Sequence, residues 1–325
     1  MTVLVTGGAG YVGSHMVLAL RDAGRDVVVI DDLSTGFQDA VASSAVLVEG
    51  DVGDVNLVTE VCRQYDVSAV IHMAASVSVP ESIARPIDYY INNTGKFSLL
   101  LKAVVEAGVR RVIFSSTAAV YGIPDQLPIT ETAALRPETP YGASKAFSER
   151  ILMDAAAAGG LSYAILRYFN VAGADPAGRA GQRTRGATHL IKVAAEAAVG
   201  KRPRLEIFGT DYPTADGSCI RDYIHVGDLT SAHVLALAHL EQGGESLLLN
   251  CGYGRGYSVR EVVAAFEAEI GHPIPVVESP RRDGDVSNVY AASEKLRSTL
   301  GWIPRYEDLA DVVRSAVSFE RGSLR

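Results

Sequence analysis

The chain has 325 residues, of which 48% are hydrophobic and 21% charged, and its formal net charge is -8 at pH 7. This composition is typical of a globular protein with one large or two ordinary domains. The acidic balance argues against a nucleic-acid partner, and no apolar run is long enough to span a membrane. The first predicted strand begins almost at Met1 and leaves no room for a targeting peptide, so we expect a cytoplasmic location.

The cysteines and histidines give no sign of a metal site. Cys62, Cys219 and Cys251 lie far apart and match no metal-ligand spacing. Isolated cysteines of this kind are typical of reduced thiols in a cytoplasmic protein. Because the seven histidines include no HxxxH or HExxH pair, the sequence predicts no metal.

A glycine-rich turn follows the first predicted strand. The apolar run Val3–Val5 leads into GGAGYVGS, and a helix is expected at His15–Leu20. Glycines in such a strand–turn–helix unit allow a tight turn and the approach of a pyrophosphate, and Gly13 lets helix and strand pack closely. The helix N-terminus offers N–H groups and partial positive charge to phosphate. The pattern alone fits a dinucleotide site or a structural turn.

The second predicted strand, Asp26–Asp31, favours the dinucleotide site. Asp31 lies about twenty residues beyond the glycines, where a carboxylate accepts hydrogen bonds from the adenosine ribose hydroxyls. The same carboxylate would repel a 2′-phosphate. We therefore predict NAD as the cofactor rather than NADP.

Strands and helices continue to alternate through the first half of the chain. This rhythm predicts a Rossmann-type α/β fold, a doubly wound parallel sheet with helices on both faces and ligands at the carboxyl ends of its strands. Glu149 and Arg150 are expected on the solvent side of their helix. Further strands are expected at Ala45–Val48, Ala69–His72, Val109–Ser115 and Ser162–Arg167, and helices at Leu57–Gln64, Ile87–Ala107 and Ala143–Ala157.

The character of the sequence changes beyond Asn170. A polar, glycine-rich loop at Gly173–Gly186 precedes a helix at Leu190–Val199 and shorter mixed elements. We expect an NAD-binding Rossmann domain over residues 1–170 and a smaller C-terminal α/β substrate domain over residues 171–325. Segments near 223–251, namely Tyr223–Leu240 and Leu247–Cys251, are expected to return to the main sheet.

Tyr141 and Lys145 share one face of a predicted helix because they are four residues apart. A free tyrosine has a pKa near ~10, and lowering it to near ~7 needs roughly 4 kcal/mol. A neighbouring ammonium and a nicotinamide cation both favour the phenolate. Upstream, a strand ends in Ser116 and Thr117, and the Thr117 hydroxyl can bond the oxygen that Tyr141 deprotonates. We predict Tyr141, Lys145 and Thr117 as the catalytic group.

At these motifs the sequence resembles the extended short-chain dehydrogenase/reductase family. The segments TGGAGYVGSH, FSSTAAVYG, PYGASK, LRYFNVAGA, RDYIHVGDL and PRRDGD span nearly the whole chain and are together similar to the UDP-glucose 4-epimerase group of that family. The resemblance implies NAD-dependent epimerisation of a UDP-hexose at C4 through a 4-keto intermediate, by a homodimer. It also implies that Lys145 holds the nicotinamide ribose and that Thr117 orients the 4-hydroxyl.

The resemblance also implies two sets of binding residues. The expected NAD contacts are Gly7, Gly10, Tyr11, Val12, Gly13, Asp31, Asp32, Ser34, Thr35, Gly36, Asp51, Val52, Met73, Ala74, Ala75, Val77, Asn92, Lys145 and Phe169. The expected UDP-sugar contacts are Thr117, Tyr141, Asn170, His189, Leu190, Leu205, Ile207, Arg221, Arg282 and Asp285.

Arg221 and Arg282 also suit a diphosphate on physical grounds. A guanidinium group can meet phosphate oxygens with two parallel hydrogen bonds. The alternative for both arginines is a surface ion pair with Asp222 or Asp283.

Three positions depart from the best-known bacterial members of the group. Val77 replaces a lysine that contacts a cofactor phosphate, and His189 replaces an asparagine that binds the substrate. Val289 replaces a bulky tyrosine beside the 2-position of the sugar. The smaller side chain leaves volume for an N-acetyl group, so UDP-GlcNAc and UDP-GalNAc are further candidate substrates.

Other functions on the same fold stay open to different degrees. A 4,6-dehydratase carries Asp-Glu where this chain has Ala118 and Ala119, so dehydration is not expected. An epimerase for UDP-pentoses or UDP-uronates differs in a few pocket residues and stays open. A non-catalytic NAD-sensing regulator would be expected to lack Tyr141 and Lys145.

Overall fold

The computed structural model describes residues 1–184, 186–282 and 285–322. Strands β1–β14 span Thr2–Thr6, Asp26–Asp31, Val46–Glu49, Val67–His72, Arg111–Thr117, Ser162–Tyr168, Asn170–Ala172, Leu205–Phe208, Ile220–Arg221, Tyr223–His225, Leu247–Cys251, Tyr257–Ser258, Val276–Ser279 and Asn288–Val289. Helices α1–α11 span Tyr11–Asp22, Val55–Gln64, Val79–Ala84, Pro86–Tyr89, Lys96–Glu106, Pro140–Ala157, Leu190–Ala198, Val226–Glu241, Val259–Ile270, Glu294–Leu300 and Leu309–Gly322.

Seven strands form one parallel sheet in the order β11-β6-β5-β4-β1-β2-β3. Both faces are covered, which explains why its strands read as continuous apolar runs. In β1, Val3 and Val5 belong to the core under α1 and α8, and Leu4 belongs to the core under α2, α5 and α6. This confirms the predicted Rossmann-type doubly wound α/β fold. The strand order reverses between β1 and β4, and their carboxyl ends flank the usual ligand crevice.

A smaller α/β part follows the carboxyl end of β6. Short sheets pair β10 with β7, β12 and β14 with β9, and β13 with β8. Helices α7, α9 and α11 enclose a second core that includes Ile191, Phe266 and Val313. Strand β11 pairs with β6 in the main sheet. From the pairing of β11 and the packing of α8 in the core of the main sheet, we propose a domain boundary near residue 170, with α8 and β11 of the segment 223–251 returning to the first domain. Strand β10 at the start of that segment pairs with β7 instead. None of the helices in the described part of the chain is long and apolar enough to cross a membrane.

The helix expected over Ile87–Ala107 is interrupted. Between α4 and α5 the chain makes a π-helical turn at Tyr90–Gly95. This turn is bonded to α6, because Asn93 Nδ2 donates to Ser144 Oγ at 3.1 Å and Thr94 Oγ1 donates to the Ser144 carbonyl oxygen at 2.9 Å. Such turns occur often beside functional sites. Here the turn helps to fix the helix that carries Tyr141 and Lys145.

The expectation that Glu149 faces solvent is wrong. Arg150 is exposed, but the Glu149 side chain is 1% exposed and forms an ion pair with Arg167 of β6. A buried charge requires a partner. This partner lies on another element, 18 positions later in the chain, so the local helical pattern does not reveal it.

Candidate active site

The glycine turn between β1 and α1 is packed too closely to accept side chains. Gly7 has a φ of +72°, and a Cβ atom there would lie 2.6 Å from the Ala74 backbone nitrogen. A Cβ atom on Gly13 would lie 2.0 Å from the Gly7 carbonyl oxygen. Helix α1 begins after Gly10 without a capping side chain, and the predicted contacts Tyr11 and Val12 open its first turn. A bare helix N-terminus of this kind fits the pyrophosphate of a dinucleotide.

Asp31 ends β2 beside this turn, and its carboxylate is oriented by the backbone. The N–H groups of Ala9 and Leu33 donate to its two oxygens at 2.9 Å each. Burial raises the pKa of Asp31, and these two hydrogen bonds oppose the rise. Each oxygen keeps a second lone pair for a ribose hydroxyl. The residues of the glycine turn and Asp31 together therefore fit NAD.

The loop after β2 closes over the same turn. A Cβ atom on Gly36 would lie 2.7 Å from the Ala9 Cβ atom, and the Phe37 N–H donates to the Ala9 carbonyl oxygen. Within the loop, the N–H and hydroxyl of Ser34 donate to Asp32 Oδ1. The predicted contacts Asp32, Ser34, Thr35 and Gly36 thus lie in one segment beside the glycine turn.

The segment Met73–Val77 forms the other side of the crevice. It contains the predicted contacts Met73, Ala74, Ala75 and Val77, and the Val77 side chain is half exposed. Asn92 Nδ2 donates to Ser76 Oγ at 3.1 Å. The buried Asn93 holds the Ser76 backbone on both sides, at 2.9 Å for each hydrogen bond. Sequence reasoning missed this role of Asn93, because a lone buried amide has no spacing signal.

Asp51 and Val52 lie after β3, near the expected adenine position. Lys96 of α5 forms an ion pair with Asp51 at 2.7 Å. Burial raises the pKa of Asp51, but the hydrogen bonds from Lys96 and the Gly53 N–H outweigh it, so the pKa is lowered overall. The Val52 side chain is buried in the core under α2 and α5. Both residues therefore stay predictions as cofactor contacts.

Helix α6 brings Tyr141 to the carboxyl end of β5. Thr139 caps the helix by accepting from the Gly142 N–H, and Pro140 occupies its first position. A Cβ atom on Gly142 would lie 2.4 Å from the Ala119 carbonyl oxygen, so the helix start is in close contact with the turn that directly follows β5. This contact places the Tyr141 phenol within hydrogen-bonding reach of the Thr117 hydroxyl.

Burial dominates the electrostatics of the predicted catalytic group. It raises the pKa of the Tyr141 phenol, and the hydrogen bond with Thr117 opposes the rise. Burial lowers the pKa of Lys145 to about 8, and the Glu149 carboxylate opposes that change. Lys145 Nζ donates to the Ser115 carbonyl oxygen at 2.9 Å. The sequence predicts a lowered Tyr141 pKa, but within the protein desolvation of the phenolate outweighs the groups that stabilise it.

The predicted substrate residues lie along the smaller α/β part. Phe169 is buried after β6, and Asn170 begins β7 with its N–H donating to the Asp222 carbonyl oxygen at 2.9 Å. His189 immediately precedes α7 and Leu190 begins it. Gln182 Nε2 donates to His189 Nδ1 at 3.0 Å, and burial lowers the His189 pKa.

Arg221 forms an ion pair with Asp285 at 2.7 Å, so the structure brings two predicted substrate residues together. The alternative of an Arg221 pair with Asp222 is wrong. The Asp222 oxygens accept from the backbone N–H groups of Tyr253, Gly254 and Ala291, and burial raises the pKa of this carboxyl to about 6. Asp283, the other alternative partner, lies outside the described residues.

The structure separates Leu205 and Ile207 from the arginines. Their side chains are buried in the second core. Successive residues of a strand face opposite sides, so Phe208 faces away from the side that Ile207 occupies. The Arg282 guanidinium lies 3.7 Å from the centroid of the Phe208 ring. Sequence reasoning missed Phe208, although the alternation along β8 was a usable signal.

Comparisons with known proteins agree with this geometry. A profile of the NAD dependent epimerase/dehydratase family matches residues 3–252. The chain therefore belongs to this family. It is 57% identical over 319 residues to a UDP-glucose 4-epimerase of Azospirillum brasilense, covering 98% of this chain and 92% of that protein.

Solved structures extend the similarity to the whole fold. A crystal structure of UDP-glucose 4-epimerase from Brucella ovis in complex with NAD is 46% identical, with a TM-score of 0.94 and 98% of both chains covered. The UDP-Glc/GlcNAc 4-epimerase from Campylobacter jejuni is 43% identical, with a TM-score of 0.85 and 99% of both chains covered. These findings confirm the resemblance read from the motifs and support NAD as the cofactor.

The packing of the turn predicts that Gly13→Ala weakens NAD binding. Because its Cβ atom would lie 2.0 Å from the Gly7 carbonyl oxygen, the turn must open at a cost of about 1–3 kcal/mol. The expected result is an NAD affinity lower by about tenfold or more, measured by calorimetry, and a lower free energy of unfolding in urea.

Gly95→Ala is the matched control for this variant. The nearest atom to its Cβ would be the Tyr90 carbonyl oxygen at 3.7 Å, which is an ordinary contact. It should bind NAD as the wild type does. A Gly13→Ala protein with wild-type NAD affinity would show that the turn does not hold the cofactor.

Proposed function

We propose that this chain is an NAD-dependent 4-epimerase that interconverts UDP-glucose and UDP-galactose. The observation that carries the proposal is the contact between Tyr141 and Thr117 at the carboxyl end of β5, with Lys145 one helical turn away. The glycine turn and Asp31 lie at the same edge of the sheet. The similarity to UDP-glucose 4-epimerases over nearly the full chain supports the substrate class.

In the proposed reaction Tyr141 acts as base and then as acid. Its phenolate takes the proton of the sugar 4-hydroxyl, and its phenol returns a proton after the 4-keto sugar has turned over in the site. NAD, when bound, supplies reversible hydride exchange at C4. Thr117 hydrogen-bonds the reacting oxygen, and the Lys145 ammonium stabilises the phenolate. Because the sugar regains both proton and hydride, there is no net oxidation.

The smaller α/β part offers charges that suit the nucleotide. The guanidinium groups of Arg221 and Arg282 can neutralise a diphosphate. Asp285 orients Arg221 through their ion pair. The Phe208 ring beside Arg282 offers an apolar face to the uridine. These roles are part of the proposal for the UDP-sugar.

We also propose a homodimer formed through the helices expected over Ile87–Ala107 and Ala143–Ala157, which correspond to α4, the π-helical turn, α5 and α6. Ile87, Ile91 and Phe147 are 66%, 59% and 56% exposed, and the Tyr90 ring centroid lies 6.0 Å from that of Phe147. Clustered exposed apolar side chains of this size are typical of an interface between proteins. The family resemblance implies that the partner at this surface is a second copy of the chain.

A cytoplasmic location is the remaining part of the proposal. Cys62, Cys219 and Cys251 are buried free thiols. Thiols in this state fit a reducing compartment.

The central prediction concerns Tyr141→Phe. The wild type should convert UDP-galactose to UDP-glucose without added NAD when NAD co-purifies, as measured by chromatography of the nucleotide sugars. Tyr141→Phe should lower kcat by about 10²–10⁴-fold, because the base is lost while the ring still fills its site. Calorimetry should show that NAD and UDP-sugar binding remain.

Tyr163→Phe is the control. Tyr163 lies at the amino end of β6, away from the carboxyl edge of the sheet, and this variant should keep wild-type turnover. Near-normal turnover by Tyr141→Phe would refute the role of the phenol. NADH that accumulates in proportion to the sugar nucleotide would refute epimerisation.

A second prediction concerns N-acetylated sugars. Val289 of β14 pairs in register with Arg221 of β9, so a small side chain lies beside a predicted substrate residue. The similarity to the Campylobacter jejuni enzyme supports this wider substrate range. The wild type should accept UDP-GlcNAc, and Val289→Tyr should lower kcat/KM for it about tenfold more than for UDP-glucose. Val289→Ala should retain both activities. A wild type without activity on UDP-GlcNAc would refute the wider substrate range.

A third prediction tests the dimer. A double variant, Ile87→Glu with Ile91→Glu, places two charges in the exposed apolar cluster and should yield a monomer, because unpaired charges in an interface are costly. Light scattering coupled to size-exclusion chromatography measures the mass. Ile303→Glu, at an isolated side chain that is 80% exposed, should leave the dimer intact. A monomeric wild type would overturn the proposal.

A further inference from the structure

Glu149 and Arg167 form a buried ion pair beneath the catalytic group, with side chains 1% and 3% exposed. Arg167 Nε donates to Glu149 Oε1 at 2.9 Å, and Nη2 donates to Oε2. The Ser116 hydroxyl also donates to Oε1. Arg167 Nη1 donates to the Tyr121 hydroxyl at 3.0 Å, which in turn donates to Asn250 Oδ1 at 2.6 Å. The carboxylate therefore has three donor contacts from two other elements.

These contacts join the elements that carry the catalytic residues. Glu149 lies one helical turn after Lys145 on α6, Ser116 directly precedes Thr117 on β5, and Arg167 lies on β6. A buried ion pair is a weak source of stability, because apolar side chains of similar volume often stabilise as well or better. The pair by itself is therefore weak evidence for a role in stability, and its position between α6, β5 and β6 points to the catalytic group.

Among the groups around Lys145, the Glu149 carboxylate is the charge that raises the pKa of this lysine. The side chain of Lys145 is 3% exposed. Burial lowers the pKa of His72 well below its usual value and lowers that of His233 to about 4. Around Lys145 and the ion pair, the titratable groups on the packed elements are His72 of β4, Tyr141 of α6, Tyr168 and Arg167 of β6, His233 of α8, and Tyr121 and Glu131 of the segment after β5.

We propose that Glu149 is a positioning residue for the Tyr141–Lys145 pair. Its carboxylate holds α6 against β5 and β6, and it keeps the Lys145 ammonium charged under the conditions of turnover. The proposal rests on the proposed function, in which the charge of Lys145 favours the phenolate of Tyr141. Glu149 acts on the reaction through Lys145 and has no contact with the reacting oxygen in this arrangement.

The direction of the effect follows from the signs of the charges. Burial has already lowered the pKa of Lys145 to about 8, and Glu149 opposes that change. Removing the negative charge lowers the pKa further, so Lys145 loses its proton at a lower pH. The alkaline limb of the kcat profile should then move to lower pH, since a neutral lysine no longer favours the phenolate.

The experiment compares Glu149→Gln with the wild type by NMR and by kinetics. In protein labelled with ¹³C at lysine, the Cε signal of Lys145 is assigned by its loss in Lys145→Arg and followed against pH. The expected result is a midpoint lower by about one pH unit or more, with a matching shift of the alkaline limb of kcat. Asp154→Asn removes an exposed carboxylate from the same helix and should leave the midpoint unchanged.

Two further variants keep the proposal falsifiable if Glu149→Gln does not fold. Glu149→Gln combined with Arg167→Gln leaves no unpaired buried charge. It removes one charge of each sign, so its Lys145 midpoint should change less than that of Glu149→Gln. Glu149→Asp retains the charge and should keep the midpoint near that of the wild type, even where kcat is lower. An unchanged midpoint in folded Glu149→Gln, a midpoint in Glu149→Asp that falls although the charge is retained, or a kcat lowered equally at every pH would overturn the proposal. The NMR midpoint does not depend on turnover, so a protein without epimerase activity would refute the proposed function separately.

Discussion

The contact between the start of α6 and the turn that directly follows β5 determines how the rest of the site can be built. At Gly142 the two backbones are so close that a Cβ atom would lie 2.4 Å from the Ala119 carbonyl oxygen. This contact places the Tyr141 phenol beside the Thr117 hydroxyl. The helix is held from its other sides by the π-helical turn at Asn93 and by the Glu149–Arg167 pair. Three separate sets of contacts therefore fix one helix, which explains how a phenol and an ammonium can be held at the sheet edge without a contact between them.

Holding charged groups in this position has an electrostatic cost. Desolvation is the largest influence on the pKa of both Tyr141 and Lys145, and it acts against the charged form of each. The fold opposes this cost with short-range hydrogen bonds, from Thr117 to the phenol and from Lys145 to the Ser115 carbonyl oxygen. Because these interactions lie in a poorly hydrated site, each is stronger than it would be in water. The same burial that disfavours the phenolate thus makes its stabilising groups effective.

The sequence predicts those parts of the molecule that depend on local pattern. The alternation of apolar runs predicts the Rossmann-type sheet, and the i,i+4 spacing of Tyr141 and Lys145 places both on α6. Local pattern fails where a partner comes from elsewhere in the chain. The local pattern around Glu149 predicts a surface residue, because its partner Arg167 lies on another element, β6. The role of Asn93 likewise depends on its hydrogen bonds with Ser76 and Ser144, which lie elsewhere in the chain. The alternative of an ion pair between Asp222 and Arg221 is wrong for the same reason, since three backbone N–H groups from distant segments donate to the Asp222 carboxylate.

The buried histidines bear on the type of reaction that the site can support. A dehydrogenase that releases a product must pass a proton to solvent in every turnover, whereas the proposed epimerisation returns the proton to the sugar. His233 accepts a hydrogen bond from the Ser115 hydroxyl at 2.9 Å and donates to the Leu229 carbonyl oxygen, and its pKa is lowered by burial to about 4. At neutral pH His233 is therefore uncharged, and both of its ring nitrogens are engaged in hydrogen bonds. Burial and the charge of Lys145 also lower the pKa of the buried His72. The surroundings of Lys145 therefore suit a reaction in which Tyr141 exchanges its proton with the substrate alone.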